Sequence, residues 1–335
     1  MKWERKPLEH IVDFYNGKSI KPSMIGSFPA YGSNGLIGFS EKYLYDKGII
    51  IGRVGANCGS VKISLDNFWP SDNTIVAKPK NNADIMFVYY LLNNHPLNNY
   101  AGGAAQPLLT QTVLKPIEFN IPDSTTQRRI ASILSAYDDL IENNLKRIKL
   151  LEEKAVLEYK CLNRELQDLN SGKKKLKDIL DLKYGKALKS DNRIDGKYPV
   201  YGSSGVIGSH ESYLVTGPGI IVGRKGNVGS VFWAFDNFWV IDTAYFVESE
   251  ISLYYLYFNL KEQHFENTDA AVPGLNRNFA LDNPIFLPQN KKIILFEESV
   301  KPTFHLMQNL LQQNTLLRQA RDILLPRLMS GEIEI

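Results

Sequence analysis

Apolar positions along the chain follow two different periods. Leu134, Ile141, Ile148, Ala155 and Leu162 recur every seven residues, with Ile130, Tyr137 and Leu151 on the adjoining seam. Phe296, Leu310, Leu317 and Leu324 repeat the pattern near the C-terminus, flanked by Val300 and Met307. Seven-residue spacing predicts helices paired along a shared seam. About 40 residues at 1.5 Å each give roughly 60 Å, longer than a compact domain is wide. Ser124 followed by Gln127 predicts a capping box for the first helix, and Asn290 a cap for the second. Asn144 and Asn314 fall on or beside the seam, where a polar group costs stability but fixes register. Pro302 should kink the second helix or mark a late start.

Outside these helices the apolar runs are short. Gly48–Ile51 and Gly219–Val222 are rich in Ile and Val and bounded by glycine, which predicts strands. Gly52, Gly55, Gly59 and their counterparts Gly223, Gly226, Gly229 suit turns with positive φ. Shorter helices are predicted over Ile85–Asn93 and Ser252–Leu260. Each such region reads as an α/β module with a twisted sheet.

The two modules are copies. YGSNGLIG (31–38) recurs as YGSSGVIG (201–208), and IIIGRVGANCGSV (49–61) as IIVGRKGNVGSV (220–231), one residue shorter. LDNFWPSDNT (65–74) recurs as FDNFWVIDTA (235–244), QPLLTQ (106–111) as VPGLNR (272–277) and FNIP (119–122) as IFLP (285–288). A period of about 166–171 residues is too long for a solenoid and indicates a duplicated domain. The division is a module over 1–122, a long helix over 123–170, a second module over 171–288 and a second helix over 289–335, with the linker SGKKKLKD (171–178) separating the halves.

Composition narrows the function by exclusion. With 44% hydrophobic and 22% charged residues in 335, the chain can build real cores. Its first residues are charged and no apolar run approaches the roughly 18 residues of a membrane span, so neither a secretory signal nor a membrane association is expected. Only Cys58 and Cys161 occur, far apart, so a disulfide framework is not expected and a cytoplasmic location is. No phosphate loop, H-E-x-x-H or C-x-x-C is present, and the histidines are scattered. Pro122-Asp123 followed by Glu152-Glu153-Lys154 mimics a metal-dependent nuclease pattern. On one helix these carboxylates stand roughly 40 Å apart and cannot share a metal. No catalytic residue and no metal site is therefore expected.

The ordered set YG-S-x-G-x-IG, the GR-x-G…GSV loop, DNFW…D, the QP-x-L segment and the long helix, occurring twice, resembles the specificity subunit of Type I restriction–modification systems. The resemblance covers nearly the whole chain. It implies an α+β chain of two duplicated α/β target recognition domains, separated by two long antiparallel helices packed as a coiled-coil-like spacer in pseudo-two-fold relation. It implies that each domain reads one half of a bipartite site in double-stranded DNA. It further implies that the helices dock two modification (methyltransferase) subunits, to which restriction (endonuclease and translocase) subunits add. S-adenosylmethionine, ATP and Mg2+ are then expected on those other chains, with no cofactor here. The net charge of +3, from 39 basic and 36 acidic residues, suggests that the partners supply much of the grip on phosphates.

Loop-tip polar side chains are the candidates for DNA contact, since amides match adenine and basic groups guanine. In the first module these are Ser33, Asn34, Arg53, Asn57, Asn73, Gln106, Thr110 and Gln111. In the second they are Ser203, Ser204, Arg224, Lys225, Asn227, Thr243, Asn276 and Arg277. Arg53 and Arg224 match between copies and are read as anchoring phosphate or structure. Gln111 against Arg277 and Val54 against Lys225 differ, and are read as sources of half-site difference. Lys78, Lys80 and Lys173–Lys175 are possible phosphate contacts, and Phe68, Trp69, Phe238 and Trp239 are read as core. Leu134, Ile141, Ile148, Leu151, Leu310, Leu317 and Leu324 form the helix seam and partner face. The competing reading is a coiled-coil adaptor with duplicated protein- or glycan-binding modules, which a neighbouring methyltransferase gene would argue against.

Overall fold

The computed structural model describes residues 3–103, 106–167, 173–265 and 274–335, with the backbone alone at 165–167 and 173. Linker residues 171–172 and the first two residues of the 272–277 segment lie outside the described residues. The chain divides into two compact units, one of 1–143 with 313–335 and one of 144–312.

In the first unit the elements are β1 (Trp3–Pro7), β2 (Val12–Asn16), β3 (Phe28–Gly32), β4 (Gly35–Ser40), β5 (Gly48–Gly52), β6 (Val61–Ser64), β7 (Trp69–Pro70), β8 (Thr74–Pro79), α1 (Ile85–Asn93), α2 (Gln111–Leu114) and β9 (Glu118–Pro122). Strands β2, β8, β5 and β6 form an antiparallel sheet in that order, β3 lies between β4 and β7, and β1 pairs with β9. All of β5 is buried, as expected for a central strand covered on both faces. Ile49 and Ile51 enter the main core with Phe87, Val88 and Leu92 of α1. Ile50 points the other way, onto Phe68 and Val76. The period-two alternation of side chains thus places the second sheet on one face and α1 on the other.

Helix α3 (Ser124–Gln167) follows β9. The second unit then repeats the plan with β10 (Lys173–Lys175), β11 (Asp181–Tyr184), β12 (Tyr198–Gly202), β13 (Gly205–His210), β14 (Gly219–Gly223), β15 (Val231–Ala234), β16 (Trp239–Val240), β17 (Ala244–Glu248), α4 (Leu253–Glu262), α5 (Arg277–Leu281), β18 (Pro284–Phe286) and α6 (Asn290–Met329). Its sheet orders, β11-β17-β14-β15, β13-β12-β16 and β10-β18, copy the first unit strand for strand. Even the irregularity between Ala30 and Tyr31 against β4 recurs between Val200 and Tyr201 against β13.

Within each unit α3 and α6 pack antiparallel. In the first, Ile130 and Leu134 share a core with Leu325, Leu328 and Met329, and the Asn314 amide donates to the Ile141 carbonyl at 3.4 Å. In the second, Ala155 and Tyr159 share a core with Phe296, Val300, Phe304 and Met307. Asn144 and Asn314 are both buried. Leu134, Ile141 and Leu310 are buried seam residues, while Ile148, Leu151, Leu317 and Leu324 are half-buried.

Four local expectations are corrected. The cap of α3 is Asp123 rather than Ser124: its carboxylate accepts from the Thr125 and Thr126 N–H groups, both at 3.0 Å, and from the Thr126 hydroxyl at 2.9 Å. These bonds, the Thr126 N–H first, hold its pKa below the ordinary carboxylate value. Gln127 donates its amide back to the Pro122 carbonyl at 2.9 Å, and its Oε1 accepts from Asp84 N–H at 3.0 Å, which ties α3 to the start of α1. Helix α6 likewise starts one residue early, with the Gln289 carbonyl accepting from Ile293 N–H at 3.3 Å. Pro302 marks no late start, because α6 is continuous from Asn290 through Pro302 and Pro326. Burial of Val300, Thr303 and Phe304 around it outweighs one missing backbone bond. Finally, Gly55, Gly59, Gly226 and Gly229 do take positive φ, whereas Gly52 and Gly223 do not. At these two a Cβ would lie 2.5 Å from the Asn57 carbonyl and 2.1 Å from the Asn227 carbonyl, so close approach is the reason for glycine.

Candidate functional site

The candidate residues of each module converge at one end of its sheets. Ser33–Asn34 is the two-residue turn of the β3–β4 hairpin, closed by Gly35 at φ 94°. The Ser33 hydroxyl donates to the Asn73 carbonyl at 2.6 Å and accepts from Val54 N–H at 3.3 Å. Arg53 N–H donates to the same Asn73 carbonyl at 2.9 Å, and Leu109 N–H to the Arg53 carbonyl at 2.9 Å. Four segments far apart in sequence, around residues 33, 53–57, 73 and 107–111, thus become one loop cluster. Asn34, Asn57, Asn73 and Gln106 are exposed on it. Thr110 caps α2 through its hydroxyl, and the Gln111 amide donates to Asn16 Oδ1 at 2.9 Å.

The second module assembles the same cluster. Arg224 and Lys225 N–H groups donate to the Thr243 carbonyl at 2.9 and 3.0 Å, and Leu275 N–H to the Arg224 carbonyl at 2.8 Å. The Ser230 hydroxyl donates to the Ser203 carbonyl, as Ser60 does to Ser33. Ser204, Lys225, Asn227 and Asn276 are exposed, and Asn276 Oδ1 caps α5 by accepting from Asn278 N–H at 3.0 Å. Here the cluster encloses a cleft of about 330 Å³ lined by Tyr184, Arg224, Lys225, Tyr245, Gly274 and residues 275–278.

Several candidates are already engaged. Arg277 donates to the Leu182 carbonyl at 2.7 Å and forms an ion pair with Asp181. Asp181 is held below the ordinary carboxylate pKa first by Lys183 and then by Arg277. The Arg224 guanidinium lies 4.9 Å from the Tyr184 ring centre and donates to the Asp242 carbonyl at 3.0 Å. Burial pushes the neighbouring Tyr245 hydroxyl up to about 12, with Tyr184 adding to the shift. Arg53 is half-buried, and its Nε has no hydrogen-bond partner among the described residues. Lys225, by contrast, has no ion pair among the described residues.

Three of the proposed phosphate contacts are tied down too, while the Lys173 side chain lies outside the described residues. Lys78 pairs with Asp46 and Lys80 with Asp13, both at 2.7 Å, and Lys175 with Asp282 at 3.0 Å. Phe68 and Phe238 are fully buried. The indoles of Trp69 and Trp239 donate to the Lys18 and Lys186 carbonyls at 2.9 and 3.0 Å. Sequence reasoning missed Asn16, Tyr184 and Tyr245, which reach the clusters from β2, β11 and β17. The faint signal for Asn16 and Tyr184 was the aligned pair DFYNGK (13–18) and DLKYGK (181–186). Among the described residues no group of three or more His, Cys, Asp or Glu could hold a metal ion, and no helix is long and apolar enough to cross a membrane.

A chain with the same polar loop cluster built twice, on modules joined to two long paired helices, is a duplicated recognition protein. The family model of the Type I restriction modification DNA specificity domain matches residues 1–153 and again 169–313, and the chain belongs to that family. The Type I restriction enzyme MjaIX specificity subunit of Methanocaldococcus jannaschii is 25% identical over 346 residues, covering 87% of this chain and 79% of its own length. The EcoprrI specificity subunit of Escherichia coli is 30% identical over 145 residues, 41% of this chain and 36% of its own. The S subunit of the M. genitalium Type I restriction–modification system shares the fold, with a TM-score of 0.64 over 98% of this chain and 96% of that one at 21% identity.

Proposed function

We propose that this chain supplies the DNA address of a Type I restriction–modification complex and none of its chemistry. Each module reads one half of a bipartite site in double-stranded DNA through its loop cluster, and α3 with α6 sets the spacing between the halves. The observation that carries this reading is the duplication itself. The two clusters share key backbone bonds, the arginine N–H to the Asn73 or Thr243 carbonyl and the leucine N–H to the arginine carbonyl, and differ in the side chains presented on that frame. A common frame with different readers suits two unrelated half-sites held at fixed separation.

Two modification (methyltransferase) subunits dock on the helices, and restriction subunits join through that complex. Leu140, Leu150, Leu157, Leu316 and Ile323 project from α3 and α6 with 51–64% of their surface exposed. Apolar surface of this kind on long helices is suited to partner contact. S-adenosylmethionine, ATP and Mg2+ bind those partners, and the complex works in the cytoplasm. Because the net charge is only +3, the isolated chain binds DNA weakly and the partners complete the clamp.

The test is to co-express the chain with the modification subunit encoded beside it, purify the complex, and map methylated bases by single-molecule sequencing. A co-purifying complex that methylates a split motif is expected. A chain that forms no such complex, or a methylated motif without a gap, overturns the reading.

A further inference from the structure

The two loop clusters differ at an equivalent pair of positions beside the arginine they share. Val54 follows Arg53 in the first module, and Lys225 follows Arg224 in the second. Each forms an isolated antiparallel bridge to the strand-like segment before the next short helix, Val54 to Leu108 and Lys225 to Gly274. The bridges fall at matching places in the repeat, so the two residues occupy one position of a common frame. Their surroundings are opposite in character. Val54 is half-buried and Leu108 is 38% exposed, together making an apolar step on the loop surface. Lys225 faces a glycine, which leaves open the 330 Å³ cleft that it lines with Tyr184 and Asn278.

We propose that these two residues determine one base pair in each half-site: Val54, with Leu108, contacts the methyl group of a thymine, and Lys225 donates to a guanine. The inference rests on the DNA-addressing role proposed above and names what the loop clusters read. A thymine presents a methyl group in the major groove that apolar side chains match, while guanine O6 and N7 accept from lysine or arginine. Of the cations around the second cleft, Arg224 is bound to Asp242 and stacked on Tyr184, and Arg277 is bound to Asp181 and Leu182. Lys225 alone of the three is exposed and without an ion pair among the described residues. Arg53 and Arg224, shared by both modules, cannot account for a difference between half-sites. A phosphate contact by Lys225 is the competing role, and it would carry no sequence information.

The experiment uses the full chain in complex with its modification subunits. Lys225→Ala, Lys225→Val and Val54→Lys are each mapped by single-molecule sequencing of methylated genomic DNA. Both Lys225 variants should relax a single guanine-containing position in one half-site, with discrimination falling roughly 5- to 150-fold there. Val54→Lys should move one position of the other half-site away from an A·T pair. The untouched half-site serves as the folding control, since it stays specific only in an intact chain. Unchanged motifs overturn the proposal. So does a uniform loss of methylation across all sites with a shallower salt dependence, the mark of a phosphate contact. A wild-type complex that methylates no split motif would instead overturn the function on which the proposal rests.

Discussion

The two modules are attached to the helices by joints of opposite chemistry. In the first, Tyr90 of α1 donates its hydroxyl to Asp138 of α3 at 2.5 Å, and Arg321 of α6 binds the other carboxylate oxygen. Burial, followed by Asp138, drives the Tyr90 hydroxyl well above its ordinary pKa. In the repeat, Phe258 stands for Tyr90, Phe304 for Asp138 and Ala155 for Arg321. The second joint is therefore aromatic. Phe304 lies 4.8 Å from Trp233, 5.0 Å from Tyr254 and 6.0 Å from Phe258, ring centre to ring centre. With alanine where the first unit has arginine, a cavity of about 480 Å³ remains beside Ala155, Trp233, Tyr257 and Phe304. One backbone plan thus tolerates either directional polar bonds or non-directional packing at its junction. After duplication the frame was kept while the contents changed, as in the loop clusters.

The comparison can be broken most severely at Phe304. Replacing it with alanine removes a buried ring next to an existing cavity, and should destabilise the second unit by about 3–5 kcal/mol. Hydrogen exchange in the native state should show protection lost around α4 and β15, with the first unit much less affected. Asp138→Ala strands the Tyr90 hydroxyl and leaves the Arg321 guanidinium paired with Asp322 alone. Because the Asp138–Arg321 pair is partly exposed, with side-chain exposures of 31% for Asp138 and 27% for Arg321, the expected loss is about 1–3 kcal/mol, seen in denaturant unfolding.

A smaller effect separates the units by pH. His95 in the first module is replaced by Gln263 at the matching place in the second. His95 packs against Phe119 at 4.9 Å and Tyr100 at 5.5 Å, and burial lowers its pKa below 6.5. The unfolded chain therefore binds a proton more readily than the folded one. Stability of the first unit should be unaffected by this group above pH 6.5, and should fall as pH drops from 6.5 through the lowered folded pKa. His95→Gln should flatten that part of the unfolding profile, and an unchanged profile would remove His95 as its source.

Much of this architecture can be read from residue order because its signals are local or repeated. The seam of α3 and α6 follows from spacing alone, and the duplicated sheets follow from matched glycine and apolar runs. What residue order hides is who partners whom. Arg277 looks like a free reader at a loop tip until β11 brings Asp181 beside it, 96 positions away. Ser33 looks like a turn residue, yet it stitches three segments together through Asn73 and Val54. Gly52 and Gly223 look like turn glycines, but a neighbouring carbonyl rather than φ excludes a side chain. The aromatic joint was legible only as apolar residues, since nothing in sequence places Trp233 against Phe304. The start of α3 was misplaced by one residue because Asp123 and Ser124 both suit a cap, and only the hydrogen bonds choose between them.

That paired helices fix the interval between two DNA half-sites can be tested by lengthening them. Seven residues inserted at facing positions of both α3 and α6 preserve the seam and lengthen it by roughly 10 Å. Methylated genomic DNA from cells carrying that variant and its modification subunits should show both half-sites unchanged and the gap between them longer by about three base pairs. An active complex that keeps the original gap would contradict the account.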